Sequence, residues 1–84
     1  MYEVVSNDKF EHDFDEHILS QIFYKVPYSY VVVYSEGDFV TFENVKRVKV
    51  MKTGCYVLSF FDSDRVVIIP QGHHRFITTE PMEV

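Results

Sequence analysis

Tyr28 to Ile69, YSYVVVYSEGDFVTFENVKRVKVMKTGCYVLSFFDSDRVVII, is the stretch on which the fold turns. It divides into β-type runs at Tyr28–Tyr34, Asp38–Phe42, Val45–Met51, Cys55–Phe61 and Arg65–Ile69, rich in Val, Ile, Tyr and Phe. Between them lie Ser35-Glu36-Gly37, Glu43-Asn44, Lys52-Thr53-Gly54 and Asp62-Ser63-Asp64. Gaps this short join antiparallel neighbours only, since a parallel return needs a crossover of a dozen or more residues.

Side chains alternate across a strand, so each run has two faces. Tyr28, Tyr30, Val32 and Tyr34 share one side of the first run, and Val48 and Val50 oppose Arg47 and Lys49 in the third. Tyr56, Leu58 and Phe60 oppose Cys55, Val57, Ser59 and Phe61. Val66 to Ile69 is apolar on both faces, as in a doubly covered strand. Pro70 closes that run because it cannot donate to a ladder. Arg75–Thr79 offers a weaker sixth strand, and residues 2–5 a short one.

Before Tyr28 the pattern changes. Phe14, Ile18 and Ile22 recur every four residues, with Leu19, Phe23 and Val26 widening the stripe. Asp13 and Glu16 have capping-box spacing, Asp15 and Glu16 suit the positive end of a helix dipole, and Pro27 would stop a helix. These signals predict a helix over Asp13–Tyr24. The expected fold is α+β: a single domain over residues 1–84, with one N-terminal helix packed on a five- or six-stranded antiparallel meander. One helix covers only part of one sheet face, so the sheet is expected to curl into a partial barrel or to offer its second face to another chain.

The segment Val40-Thr41-Phe42-Glu43-Asn44-Val45-Lys46-Arg47-Val48, with Tyr56-Val57-Leu58-Ser59-Phe60 and Val66-Val67-Ile68-Ile69-Pro70, resembles the strand series of bacterial pleckstrin-homology-like domains. It covers about a third of the chain. The resemblance implies a non-catalytic binding scaffold and carries over no site residue. Such domains close with a C-terminal helix, whereas this chain ends soon after Thr79 and has its helical pattern at the front. A small barrel of the Sm-like kind fits the same order of elements.

With 84 residues, such a chain buries only roughly 60–65% of its unfolded surface. Six Tyr and eight Phe compensate, since each ring removes a large area from water. Cys55 is the sole cysteine, which excludes an internal disulfide and a cysteine zinc cluster. The first residues lack a basic start and a long apolar run, and no apolar run is long enough to span a membrane. A cytoplasmic protein without a transmembrane segment is expected. Net charge is −5, with eight acids against two bases in the first 42 residues and five against six in the last 42. That balance disfavours nucleic acid as a partner, whose binding rests on neutralising phosphates.

Three clusters invite chemistry. His12, Glu16 and His17, with Asp13 and Asp15, place metal-ligand types four residues apart. The plainer account is a solvated helix start. His73 and His74 are adjacent and point apart on an extended chain. Cys55 has no evident partner to activate it, no serine stands in an elbow motif, and three scattered glycines make no phosphate loop. Lys46, Arg47, Lys49 and Lys52 form a basic strand that a solvated face explains.

No catalytic constellation and no cofactor is expected. The leading expectation is a small interaction module binding a protein partner or itself through surplus apolar sheet surface, with Tyr28, Tyr30, Tyr34, Phe39 and Phe42 as contacts. A second is an acidic inhibitor or decoy of a nucleic-acid enzyme, of the kind mobile elements encode, using Asp8, Glu11, Asp13, Asp15 and Glu16. A third is metal binding through His12, Glu16 and His17.

Overall fold

The computed structural model describes residues 2–6, 17–72 and 74–82. Six strands form one antiparallel sheet: β1 (Glu3–Ser6), β2 (Ile18–Tyr34), β3 (Phe39–Met51), β4 (Tyr56–Phe60), β5 (Arg65–Ile69) and β6 (His74–Pro81). Their order is β1-β5-β4-β3-β2-β6. The middle four are a meander, while β6 returns to the free side of β2 and β1 lies outside β5.

The expected helix is absent from the described residues, so the fold is all-β rather than α+β. Residues 18–24 open the long strand β2 instead. The reason lies in the spacing. Residues four apart share a helix face, but four is also a multiple of two, so 18, 22 and 26 share a strand face as well. Ile, Phe, Tyr and Val dominate this segment, and their branched or aromatic side chains fit a pleated surface better than a helix. Pro27 does not stop a helix. It sits in the gap of the β2–β3 register between Phe23 and Tyr28, where a proline's missing donor costs no ladder bond.

Glu43-Asn44 is also not a turn. Asp38–Phe42 and Val45–Met51 belong to the continuous strand β3, which carries two bulges. The first is at Asn44, the sole non-glycine residue with positive φ among those described, at 64°. The second sits opposite β4, where Val45 pairs with Phe60 but Arg47, two residues on, pairs with the adjacent Ser59. Strict alternation from Val40 and Phe42 would turn Asn44 and Lys46 inward. Each bulge shifts the phase by one, so Phe42, Val45 and Val48 enter the core and Lys46 stays exposed.

The sheet must curl. Seventeen residues at about 3.3 Å each would give β2 a length of roughly 56 Å, and the longest extent of the molecule is 34 Å. Strands three places apart in a flat sheet would be about 14 Å apart. Yet the rings of Tyr2, beside β1, and Phe42 on β3 are 5.1 Å apart, and those of Tyr56 on β4 and His74 on β6 are 6.0 Å apart. The five steps from Ile69 to His74 also cannot bridge four flat strand spacings. The sheet therefore wraps into an open barrel.

Its interior holds Tyr30, Val32, Tyr34, Phe42, Val45, Val48, Leu58, Val67 and Ile69, with Tyr28, Tyr56, Phe60 and Ile77 packed against them. A smaller cluster on the outer face joins Met51, Val57 and Val66 with Val5, Ile18, Cys55 and Ile68. The two-faced apolar run in β5 serves both.

Asn44 is a hub for this wrapping. Its carbonyl accepts from the Phe61 amide at 2.9 Å, its own amide donates to the Met82 sulfur at 3.2 Å, and its side-chain amide donates to Asp62 at 3.1 Å. Asn44→Gly and Asn44→Val both lose the last bond, but only Val is strained at positive φ. Val is expected to be the less stable by about 1–2 kcal/mol, read from denaturant midpoints; equal stabilities would remove φ as the reason for asparagine here.

Candidate binding surface

β2 runs between β3 and β6 over its second half, and its alternation sorts the residues. Tyr30, Val32 and Tyr34 point into the barrel, while Val31 and Val33 point out. Val33 has Phe39 of β3 as its partner on one side and Phe76 of β6 on the other. Val31 has Thr41 and Thr78 in the same positions. The outer surface thus carries a row Phe39–Val33–Phe76 across three strands, with a row Thr41–Val31–Thr78 beneath it. Phe39 is 66% exposed and Phe76 50%. Cross-strand neighbours on one face lie near enough for their rings to act as one surface, and an apolar patch rimmed by polar side chains marks a contact site. Asp38, Arg75 and Glu80 are exposed around it.

Of the five contact residues expected from sequence, only Phe39 lies in this surface. Tyr30, Tyr34 and Phe42 are buried in the core of a single copy, and Tyr28 is half-buried with its ring stacked on Tyr24 at 3.8 Å between centroids. Phe76 was not among them. Its signal was its place in the Arg75–Thr79 run, where phenylalanine alternates with Ile77; what sequence could not supply was that β6 lies against β2.

The other expected sites are less concentrated. The acidic set Asp8, Glu11, Asp13, Asp15 and Glu16 lies outside the described residues, as do His12 and His73. His17 is exposed, and His74 faces inward against Tyr56. Among the described residues no three His, Cys, Asp or Glu side chains gather as a metal site. The basic strand is broken up: Lys46 and Lys52 are exposed, Arg47 is half-buried under the Phe23 ring at 5.5 Å, and Lys49 is buried. Phe23 belongs to a second apolar stretch, with Leu19, Ile22 and Val26 exposed along the first half of β2. No helix of the described residues is long and apolar enough to cross a membrane.

No family model, curated protein or solved structure matches this chain. The surface must be read from its own chemistry.

The inward tyrosines have a measurable consequence. Burial, reinforced by the hydrogen bond with the Tyr24 hydroxyl and by neighbouring tyrosines, raises the Tyr30 phenol well above its ordinary value of 10.0. Burial, with Tyr2 nearby, raises Tyr34 as well. A phenol whose folded value exceeds its unfolded one adds stability below the unfolded value and loses it as pH rises through the folded value. Stability is expected to fall as pH climbs above 10.0, and to fall less in Tyr30→Phe. Urea midpoints across that range check this; an equal loss in the variant would deny Tyr30 the role.

Proposed function

We propose that this protein is a small non-catalytic interaction module of the cytoplasm that binds a protein partner, or a second copy of itself, through the outer face of β3, β2 and β6. One observation carries the reading: the row Phe39–Val33–Phe76, in which two exposed rings flank a half-buried valine. Phe39 leaves 66% and Phe76 50% of its surface in water, area that a contact with another surface would cover. Burying a ring of this type at an interface stabilises it by roughly 1.5–3 kcal/mol, and aromatic anchors of this kind dominate binding energies. The mixed rim of Asp38, Arg75 and Glu80 suits a protein surface better than a polyanion, which would meet carboxylates there.

Because both rings point outward, Phe39→Ser with Phe76→Ser should fold with an unchanged core. With a photo-crosslinking phenylalanine analogue at position 39 or 76, irradiation in the source cell is expected to give a discrete heavier adduct. The analogue at Glu36, in the neighbouring turn, should give none. Adduct formation from a third outward site on the same face, such as Thr78, should fail when Phe39 and Phe76 are serine. No adduct at either phenylalanine, or equal labelling from Glu36, would overturn the reading.

A further inference from the structure

β2 has a partner on both sides only over its second half. Its ladder with β3 extends from Ile18 to Val33, whereas its ladder with β6 begins at Tyr28 and ends at Tyr34. The Met82 amide donates to the Pro27 carbonyl at 2.9 Å, which marks the point where β6 runs out. Among the described residues no strand pairs with Ile18–Val26 on the side away from β3. An antiparallel strand turns the N–H and C=O of alternate residues to each side, so this edge presents a row of backbone donors and acceptors to a further strand. Its regular part is Ser20 to Phe23, which pairs residue for residue with Val50 to Arg47 of β3.

Three details set this edge apart. Sheet edges that face water are commonly blunted by charge, proline or short length. The β6 edge carries Arg75, Glu80 and Pro81, and β1 has four residues and begins at Glu3. The β2 edge is the nine-residue run ILSQIFYKV, with Lys25 as its only charge. Second, Leu19, Ile22, Phe23 and Val26 along it are all exposed, so side chains as well as backbone gain from a neighbouring strand. Third, the run holds no acid although the chain has a net charge of −5. Two copies can therefore meet here without setting carboxylate against carboxylate.

We propose that this edge pairs with the same edge of a second copy, antiparallel and centred on Ile22, joining two sheets across a two-fold axis. A strand added here has a limited length, because β6 occupies the position from Tyr28 onward, and Ile18–Val26 of a second copy has that length. An axis at Ile22 sets each residue opposite one an even number of places away, so the faces of the two sheets stay matched. Ile22 then meets Ile22 of the second copy and Gln21 meets Phe23. Lys25 falls beside Leu19, which keeps the two ammonium groups about 20 Å apart. Two-fold pairing uses the edge up and stops at two copies, unlike the open-ended stacking that a bare edge invites. Nine residues a side fall short of the roughly 20–30 in a standard interface, so the dimer is one that fills with rising concentration. This edge is separate from the apolar row, so either proposal can fail without the other.

Sedimentation velocity on the full chain, from micromolar to millimolar loading, tests it. The protein should pass from monomer to dimer and no further, and backbone amides between Ile18 and Val26 should exchange more slowly as the dimer fills. Ile22→Lys sets two ammonium groups against each other on the axis and should weaken association by about tenfold or more. The Ile22 side chain is exposed, so the fold should hold. Phe39→Ser with Phe76→Ser should leave the dimer unchanged. In a Cys55→Ser background, Ile22→Cys should oxidise to a disulfide-linked dimer while the exposed Glu36→Cys should not; this arm carries the test if Ile22→Lys fails to fold. A monomer at every concentration, a dimer that survives Ile22→Lys, one lost with the two phenylalanines, or equal linkage through Glu36→Cys would each overturn the proposal.

Discussion

The phase of β3 is the constraint on which the rest of this molecule depends. The strand must bury Phe42, Val45 and Val48 together while keeping Lys46 in water, which a regular strand with its period of two cannot do. Placing an ammonium in the barrel without a partner would cost several kcal/mol, a large share of what a domain this small has in hand. Two bulges resolve the conflict by shifting the alternation at Asn44 and again before Arg47. They also bend the strand and raise its twist, and β2 yields opposite them at Pro27. The curl that brings Tyr2 onto Phe42 and Tyr56 onto His74 follows from that bend.

With no helix among the described residues, the sheet fills its own concave side. Tyrosines do this work because they combine a large apolar ring with a hydroxyl that can find a partner inside or reach the rim. Tyr24, Tyr28 and Tyr30 pack ring against ring, and the Tyr24 and Tyr30 hydroxyls bond to each other. Tyr34 is the exception, since its buried hydroxyl has no partner. The rings that sequence placed at a partner are the ones this barrel needs for itself.

The legible part of the fold was what alternation alone decides. The faces of Tyr28–Tyr34, Tyr56–Phe60 and Val66–Ile69 read correctly, because the register shifts beside Tyr28–Tyr34 put the extra residue on β3 and β6 and β5 is apolar on both sides. Three features were hidden. A four-residue spacing fits helix and strand alike, so Ile18 and Ile22 misled. Glu43-Asn44 has turn chemistry, and Asn at positive φ is the same local event in a turn or a bulge. Which side of β2 faces inward was undetermined, since Tyr30 and Tyr34 on one side and Val31 and Val33 on the other are all apolar. Because of that last ambiguity, Tyr30, Tyr34 and Phe42 of the expected set lie on the inward face, buried in the core, while Phe39 starts β3 on the outward phase.

The bulge before Arg47 ties the core to the outer surface. The shift that keeps Lys46 out of the barrel also sets it beside Arg47, and the ladder then places both near Ser59. A cation pair on one face of a strand is therefore a by-product of how the interior is packed, and needs no selection of its own to arise. What that packing does not require is the Ser59 hydroxyl, which is buried without a hydrogen-bond partner, or Ser63 accepting from both the amide and the Nε of Arg65. A core built for stability alone would hold alanine or valine at position 59, as its neighbours Val57 and Leu58 suggest. The retained hydroxyl therefore costs folding energy, on the order of 1–3 kcal/mol when it is left without a partner.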